Sequence, residues 1–233
     1  MSPVYAYLVG SCVLGVIWFF FFFLRKDLRR QQLLISICAA PLAPISQVLW
    51  FHTDYWQPPY AFPISIAGVQ VGFEELLFAF FITGIASVIY QGVFRKTVER
   101  GERHVLRAVF AVAITVGVFI TLKHTGFNTI WACTDALFLG ALLMILINPR
   151  LLMDSIMSAL LVLVPVYPLY WLLFALFPDA HEVFWVSGGL SGINLIGVPI
   201  EEIAWFVAWA MFAGILYEFY RMPDASYRIP SLK

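Results

Sequence analysis

Seven apolar runs divide this chain, at roughly 3–24, 31–50, 71–93, 105–122, 128–147, 152–177 and 197–220, and the polar stretches between them are short. Each run is close to the ~20 residues that a helix needs to cross a hydrocarbon core. The composition agrees, because 62% hydrophobic and 12% charged residues over 233 positions lie outside the range of soluble domains. The expected fold is therefore an all-α integral membrane protein of seven transmembrane helices, with no sizeable soluble domain. The first run lacks a basic n-region and a small-x-small cleavage site, so it reads as a retained span rather than a signal peptide. Cys12, Cys38 and Cys133 are scattered within apolar runs and suggest neither disulfides nor a metal site. A net charge of zero gives a nucleic-acid partner no electrostatic support, and the expected surroundings are membrane lipid.

Charge sets the expected orientation. With the loop after the first run placed inside, Arg25, Lys26, Arg29 and Arg30 lie there. Alternation adds Arg95, Lys96, Arg100, Arg103 and Arg107, then Arg150, and finally Arg221, Arg228 and Lys233 of the tail. Of the 14 basic residues only Lys123 falls outside, which by the positive-inside rule puts the amino terminus outside and the carboxyl terminus inside. The basic run from Arg95 to Arg107 needs no further role than setting topology.

The two halves repeat. His52-x-x-Tyr55-Trp56 recurs as His181-x-x-Phe184-Trp185, and Gly68-Val69 as Gly197-Val198, all displaced by 129 positions. Glu74-Glu75 then recurs as Glu201-Glu202 at a displacement of 127, because the first copy carries two extra residues. Three-span units at 1–104 and 128–233, joined by a linker helix at 105–127, would be two parallel copies. A ligand site is expected at the interface between such copies.

Both Glu-Glu pairs head a membrane-length apolar run on the same side. Ionisable groups at membrane depth are expensive and normally mark function. Adjacent helical residues point about 100° apart, so one glutamate of each pair can face a pocket while the other supports it. Close carboxyl groups in a dry site cannot both ionise cheaply, and one keeps a proton, which makes it a general acid. At helical spacing Glu201 is followed by Trp205 and Trp209, with Phe206 beside them, and Glu74 by Phe78 and Phe81. These aromatic residues, with Asp135 deep in the fifth run, are the candidate substrate contacts. Asp135 reads either as a third functional carboxyl or as a structural tie. His52 and His181 read equally as solvated loop residues or as proton carriers, and Asp54 and Asn194 share that ambiguity. Aromatic residues at helical spacing also serve as core or lipid-facing residues in ordinary spans; the duplication is what favours a site here.

The segment Gly197-Val198-Pro199-Ile200-Glu201-Glu202, opening an aromatic-rich last helix, resembles the Pro-x-Glu-Glu signature of the lycopene cyclase domain family. The first copy, Gly72-Phe73-Glu74-Glu75, lacks the proline. The family's fused form has two three-span units and a linker, so the resemblance spans nearly the whole chain. It implies cyclisation of the acyclic ends of a lipophilic C40 polyene without a cofactor, lycopene to γ- or β-carotene, in a bacterial cell membrane, with Glu74, Glu75, Glu201 and Glu202 as the catalytic residues and no metal.

Such chemistry is an isomerisation that asks for an acid, a base and cation-stabilising π-faces, each worth ~0.5–2 kcal/mol. No Gly-rich strand-turn-helix for a nicotinamide or flavin occurs. Competing readings are a membrane terpene cyclase for another prenyl chain and a small proton-coupled transporter. Against the transporter, the spans lack pronounced Gly or Pro interruptions near the midplane, and the acids lie near an outer end. A retinal photoreceptor is excluded by the absence of lysine from the last run.

Overall fold

The computed structural model describes residues 1–96 and 101–221; Arg100, Arg228 and Lys233 of the charge argument lie outside them. Seven helical segments among the described residues are long and apolar enough to cross a membrane: Pro3–Leu24, Arg29–Asp54, Phe73–Val93, Val105–His124, Thr129–Ile147, Pro149–Leu176 and Ile200–Arg221. The first is a short turn opened by Pro3, where a missing amide costs nothing, followed by α1 (Ala6–Leu24).

The second span is broken. Helix α2 (Arg29–Ala39) stops before Pro41, α3 (Leu42–Ser46) carries Pro44, a π-helical turn covers Gln47–Phe51, and α4 (His52–Asp54) completes the span. A proline removes an amide donor and crowds the preceding turn, which accounts for the interruption. The sequence reading expects no pronounced interruption near the midplane, and this span corrects it. Pro165 and Pro168 likewise sit inside α8 (Leu152–Leu176), where the helix continues through them.

Two small β-hairpins, absent from the all-α expectation, stand immediately before the glutamate pairs. Strands β1 (Pro63–Ile66) and β2 (Val69–Gly72) pair antiparallel and lead into α5 (Phe73–Val93). After α6 (Val105–His124), α7 (Thr129–Ile147), α8 and α9 (Ala180–Val183), strands β3 (Asn194–Leu195) and β4 (Val198–Pro199) pair and lead into α10 (Ile200–Arg221). Both turns hold two residues at positive φ, Ala67 at 52° with Gly68 at 84°, and Ile196 at 55° with Gly197 at 81°. Tight hairpins need that conformation, and glycine supplies it without a Cβ clash. The recurrent Gly-Val thus marks the end of each hairpin turn and the first residue of the strand that follows. The two extra residues of the first copy are the longer strand, four residues in β2 against two in β4.

Helices α5 and α10 are central, each 61% buried over its most apolar window, whereas α6 is 11% buried. Helix α5 packs on α1 and α2, α10 packs on α7 and α8, and the two pack on each other. Between the halves, Trp56 and Trp185 form an antiparallel bridge, flanked by Gln57 N–H to the Phe184 carbonyl at 2.8 Å and Val186 N–H to the Tyr55 carbonyl at 2.9 Å. At the other end of the bundle, Lys96 on the first half reaches Asp154 Oδ1 on the second at 2.6 Å, and Gln91 Nε2 donates to Glu218 Oε1 at 2.9 Å. Asp154 and Glu218 are buried, so these contacts supply the partners that buried charge requires.

Candidate functional site

Each glutamate pair occupies the first turn of its helix, where unpaired backbone amides and the helix dipole favour a carboxyl group. All four carboxyl groups are buried, but they diverge. Glu74 Oε1 accepts the backbone amides of Ala61 at 2.7 Å and Phe62 at 3.1 Å, and Glu201 Oε1 accepts the Ser191 amide at 2.6 Å. These first members of each pair tie down the loop that enters the hairpin, and neither lines the central cavity. Their Oε2 atoms are buried without a partner among the described residues.

Glu75 and Glu202 turn the other way and line one cavity of about 600 Å³. Tyr60 donates its hydroxyl to Glu75 Oε1 at 2.6 Å, and Tyr7 donates to Oε2 at 3.2 Å. On Glu202, Oε1 accepts the Tyr55 hydroxyl and, at 3.1 Å, Trp185 Nε1, while Oε2 accepts the Tyr170 hydroxyl. Each carboxyl is therefore held by phenols. Tyr55 and Tyr60 sit in the loop outside the spans, where burial and then the neighbouring glutamate, Glu202 and Glu75 respectively, push their hydroxyls well above the ordinary range and keep them neutral donors.

The remaining lining is almost wholly apolar. Trp56 stands between the two carboxyls, edge-on to Tyr7 at 5.7 Å and to Trp185 at 5.5 Å. Below them Phe78 stacks on Trp205 at 6.1 Å and Trp205 on Trp209 at 5.3 Å, with Phe206 edge-on to Trp205 at 5.0 Å. Of the residues that the sequence reading offers as substrate contacts, Phe78, Trp205, Phe206 and Trp209 line the cavity.

Two candidates do not. Phe81 packs against Trp18, Phe19 and Phe80, away from the cavity. The helical count starts from Glu75 rather than Glu74, so the cavity face of α5 carries Phe78, Ala79 and Thr83, and Phe81 falls off it. Asp135 is half-buried on α7 beside the lining positions Cys133, Ala136 and Leu137 but is not among them.

The loop residues resolve as well. Asp54 pairs with Lys123 at 2.7 Å and accepts the Thr129 amide at 3.2 Å, which fixes the start of α7 together with the Asn128 cap on Ile130. His52 Nδ1 lies 2.8 Å from the Gln47 carbonyl. His181 is exposed beside Phe174 and Trp185, and Asn194 is exposed in β3. None of these four lines the cavity.

The tyrosines were not anticipated as site residues. Tyr55 is in the recurrent His-x-x-Tyr-Trp motif and was within reach of sequence reasoning; Tyr7, Tyr60 and Tyr170 carry no motif. The one available signal is that a phenol at membrane depth needs a hydrogen-bond partner.

A protein-family model described as Lycopene cyclase matches residues 128–220. No curated protein and no solved structure matches the chain.

Proposed function

Residues 128–220 carry a lycopene cyclase domain, and from that premise we propose that the chain cyclises the acyclic ends of a lipophilic polyene, lycopene to γ- or β-carotene, by a proton-initiated isomerisation. One observation carries the reading: a single carboxyl from each glutamate pair, Glu75 and Glu202, reaches the same apolar, ring-lined cavity. A neutral carboxyl there delivers a proton to the terminal alkene. The neighbouring alkene closes on the resulting cation, and the second carboxyl removes a proton from the new ring. An alkene is a very weak base, so the cation needs the π-faces of Trp205, Trp209 and Phe78. The phenols hold each carboxyl in place, which is the preorganisation that such electrostatic stabilisation requires.

In this reading Glu74 and Glu201 are positioning residues that hold the hairpin loops. The chain is integral to a bacterial cell membrane, with the glutamate end outside, and is built of parallel three-span units at 1–104 and 128–233 joined by 105–127. The matching hairpins and the paired roles of the glutamates support that duplication. The broken second span favours a second reading, a proton-coupled transporter; a site at one end of the bundle argues against it.

Heavy water separates the two. Purified protein in lipid is expected to convert lycopene without added nucleotide, flavin or metal, with each closed ring retaining one solvent deuteron. Rings formed without label, or no conversion at all, would remove the proton-initiated reading.

A further inference from the structure

Resting on the cyclase reading, we propose that a linear lipid-borne chain reaches the glutamates sideways from the bilayer, through a slot between the broken second span and α6. The cavity does not end beneath the carboxyls. Its lining continues along α10 from Glu202 to Leu216, 14 residues or about 21 Å at 1.5 Å per residue. It also runs outward, between Ala43 and Ser46 on one side and Val112 and Val116 on the other. Several lining residues are at the same time exposed on the outer surface: Leu42 at 51%, Ile45 at 51%, Leu49 at 53% and Val116 at 47%.

A residue that both lines a cavity and faces the surroundings marks an opening, and in a chain that spans a membrane those surroundings are hydrocarbon. The helices account for it. Helix α6 packs on α7 and α10 and has no extensive contact with the second span, whose α-helix is interrupted at Pro41 and again by the π-helical turn at Gln47–Phe51. The two walls meet through Trp50 edge-on to Phe119 at 5.0 Å, one turn toward the glutamate end. That ring pair closes the slot at the top and leaves it open below.

The shape selects its occupant. An elongated, apolar, laterally open slot with its two carboxyls at one end accepts an extended hydrocarbon chain end-first. The terminal unit lies between Glu75 and Glu202, the following units lie along α10, and the remainder stays in lipid. A second ring then requires the chain to leave and return reversed, because both carboxyls serve one end of the slot.

The test uses the full chain in liposomes. A linear polyprenyl hydrocarbon bearing a diazirine is photolysed, and its insertion sites are mapped by mass spectrometry. Insertion at Leu42, Ile45 and Val116 is expected to fall at least about tenfold when excess lycopene competes. Insertion at Val16, exposed on α1, is expected to be unaffected. A variant pair, Ala43→Trp with Val116→Trp, fills the slot without touching the carboxyls; its turnover at limiting lycopene is expected to drop roughly tenfold, with Val16→Trp unchanged.

Competition absent from the slot, or equal turnover in the slot-filled protein, would overturn the proposal while leaving cyclisation intact. Failure of the unmodified protein to cyclise lycopene, with competed labelling retained, would instead overturn the catalytic reading and leave the slot standing.

Discussion

Adjacent glutamates are chemically identical in sequence and different in place. Glu75 and Glu202 meet phenols and the cavity; Glu74 and Glu201 meet backbone amides. Replacing either cavity-facing residue by glutamine keeps the side-chain shape but puts a donating NH2 where one oxygen accepts a phenol hydroxyl, and it abolishes proton exchange, so Glu75→Gln and Glu202→Gln should each lower cyclisation by ~10²–10⁴ with membrane insertion retained. Glu74→Gln and Glu201→Gln keep a carbonyl for the loop amides and should retain most activity. Glu74→Ala, by contrast, removes the acceptor of two part-buried loop amides at a cost of about 1 kcal/mol each, read as a lowered melting temperature in detergent. Equal loss in all four glutamine variants would show that the division of labour is mistaken. The pairs themselves were legible in the sequence because charge at membrane depth is costly. Which member faces inward was not, since adjacency fixes only that they diverge. The pairing of phenol with carboxyl was illegible for a different reason: Tyr7 lies 68 positions from Glu75, and Tyr55, though visible in the repeated motif, lies 147 from Glu202.

The seven spans follow from hydropathy, and their bounds fall within a few residues of the apolar runs. The hairpins escape such a reading, because strands as short as Asn194–Leu195 are below any recognisable alternation. Their turns were nonetheless visible as the repeated glycine. At Gly197, φ of 81° makes any side chain strained. Gly197→Val should cost about 1–3 kcal/mol, measurable as a lower unfolding temperature, and should reduce activity through the displaced Glu202. At Gly68 no atom stands within 4 Å of an added Cβ, so a comparable loss from Gly68→Val would isolate backbone conformation from crowding. An unchanged melting temperature in both variants would mean that the turns do not constrain the pairs.

Across the whole molecule, the chain folds so that the site belongs to neither half alone. Tyr55 of the first half holds Glu202 of the second, and the Trp56–Trp185 bridge joins the halves beside both carboxyls. The orientation proposed here rests on charge, and seven membrane-length helices among the described residues would, if all cross, put the two ends on opposite sides. A tag at Met1 or within 178–196 should be reachable in intact cells, and a carboxyl-terminal tag only after permeabilisation. A carboxyl-terminal tag accessible in intact cells would invert the arrangement and move the glutamates to the inner face.

The unequal hairpins carry a consequence for how such a chain can diverge. Side chains alternate across a strand, so one inserted residue would reverse the facing of everything that follows it, whereas two restore it. The exit strand of the first hairpin, β2, is longer than β4 by two residues, one in-phase step that leaves Glu75 and Glu202 aimed into a common space. Length change in the strands that enter α5 and α10 is therefore subject to a parity rule: even insertions keep the facing of the glutamate pair that follows, and odd ones reverse it.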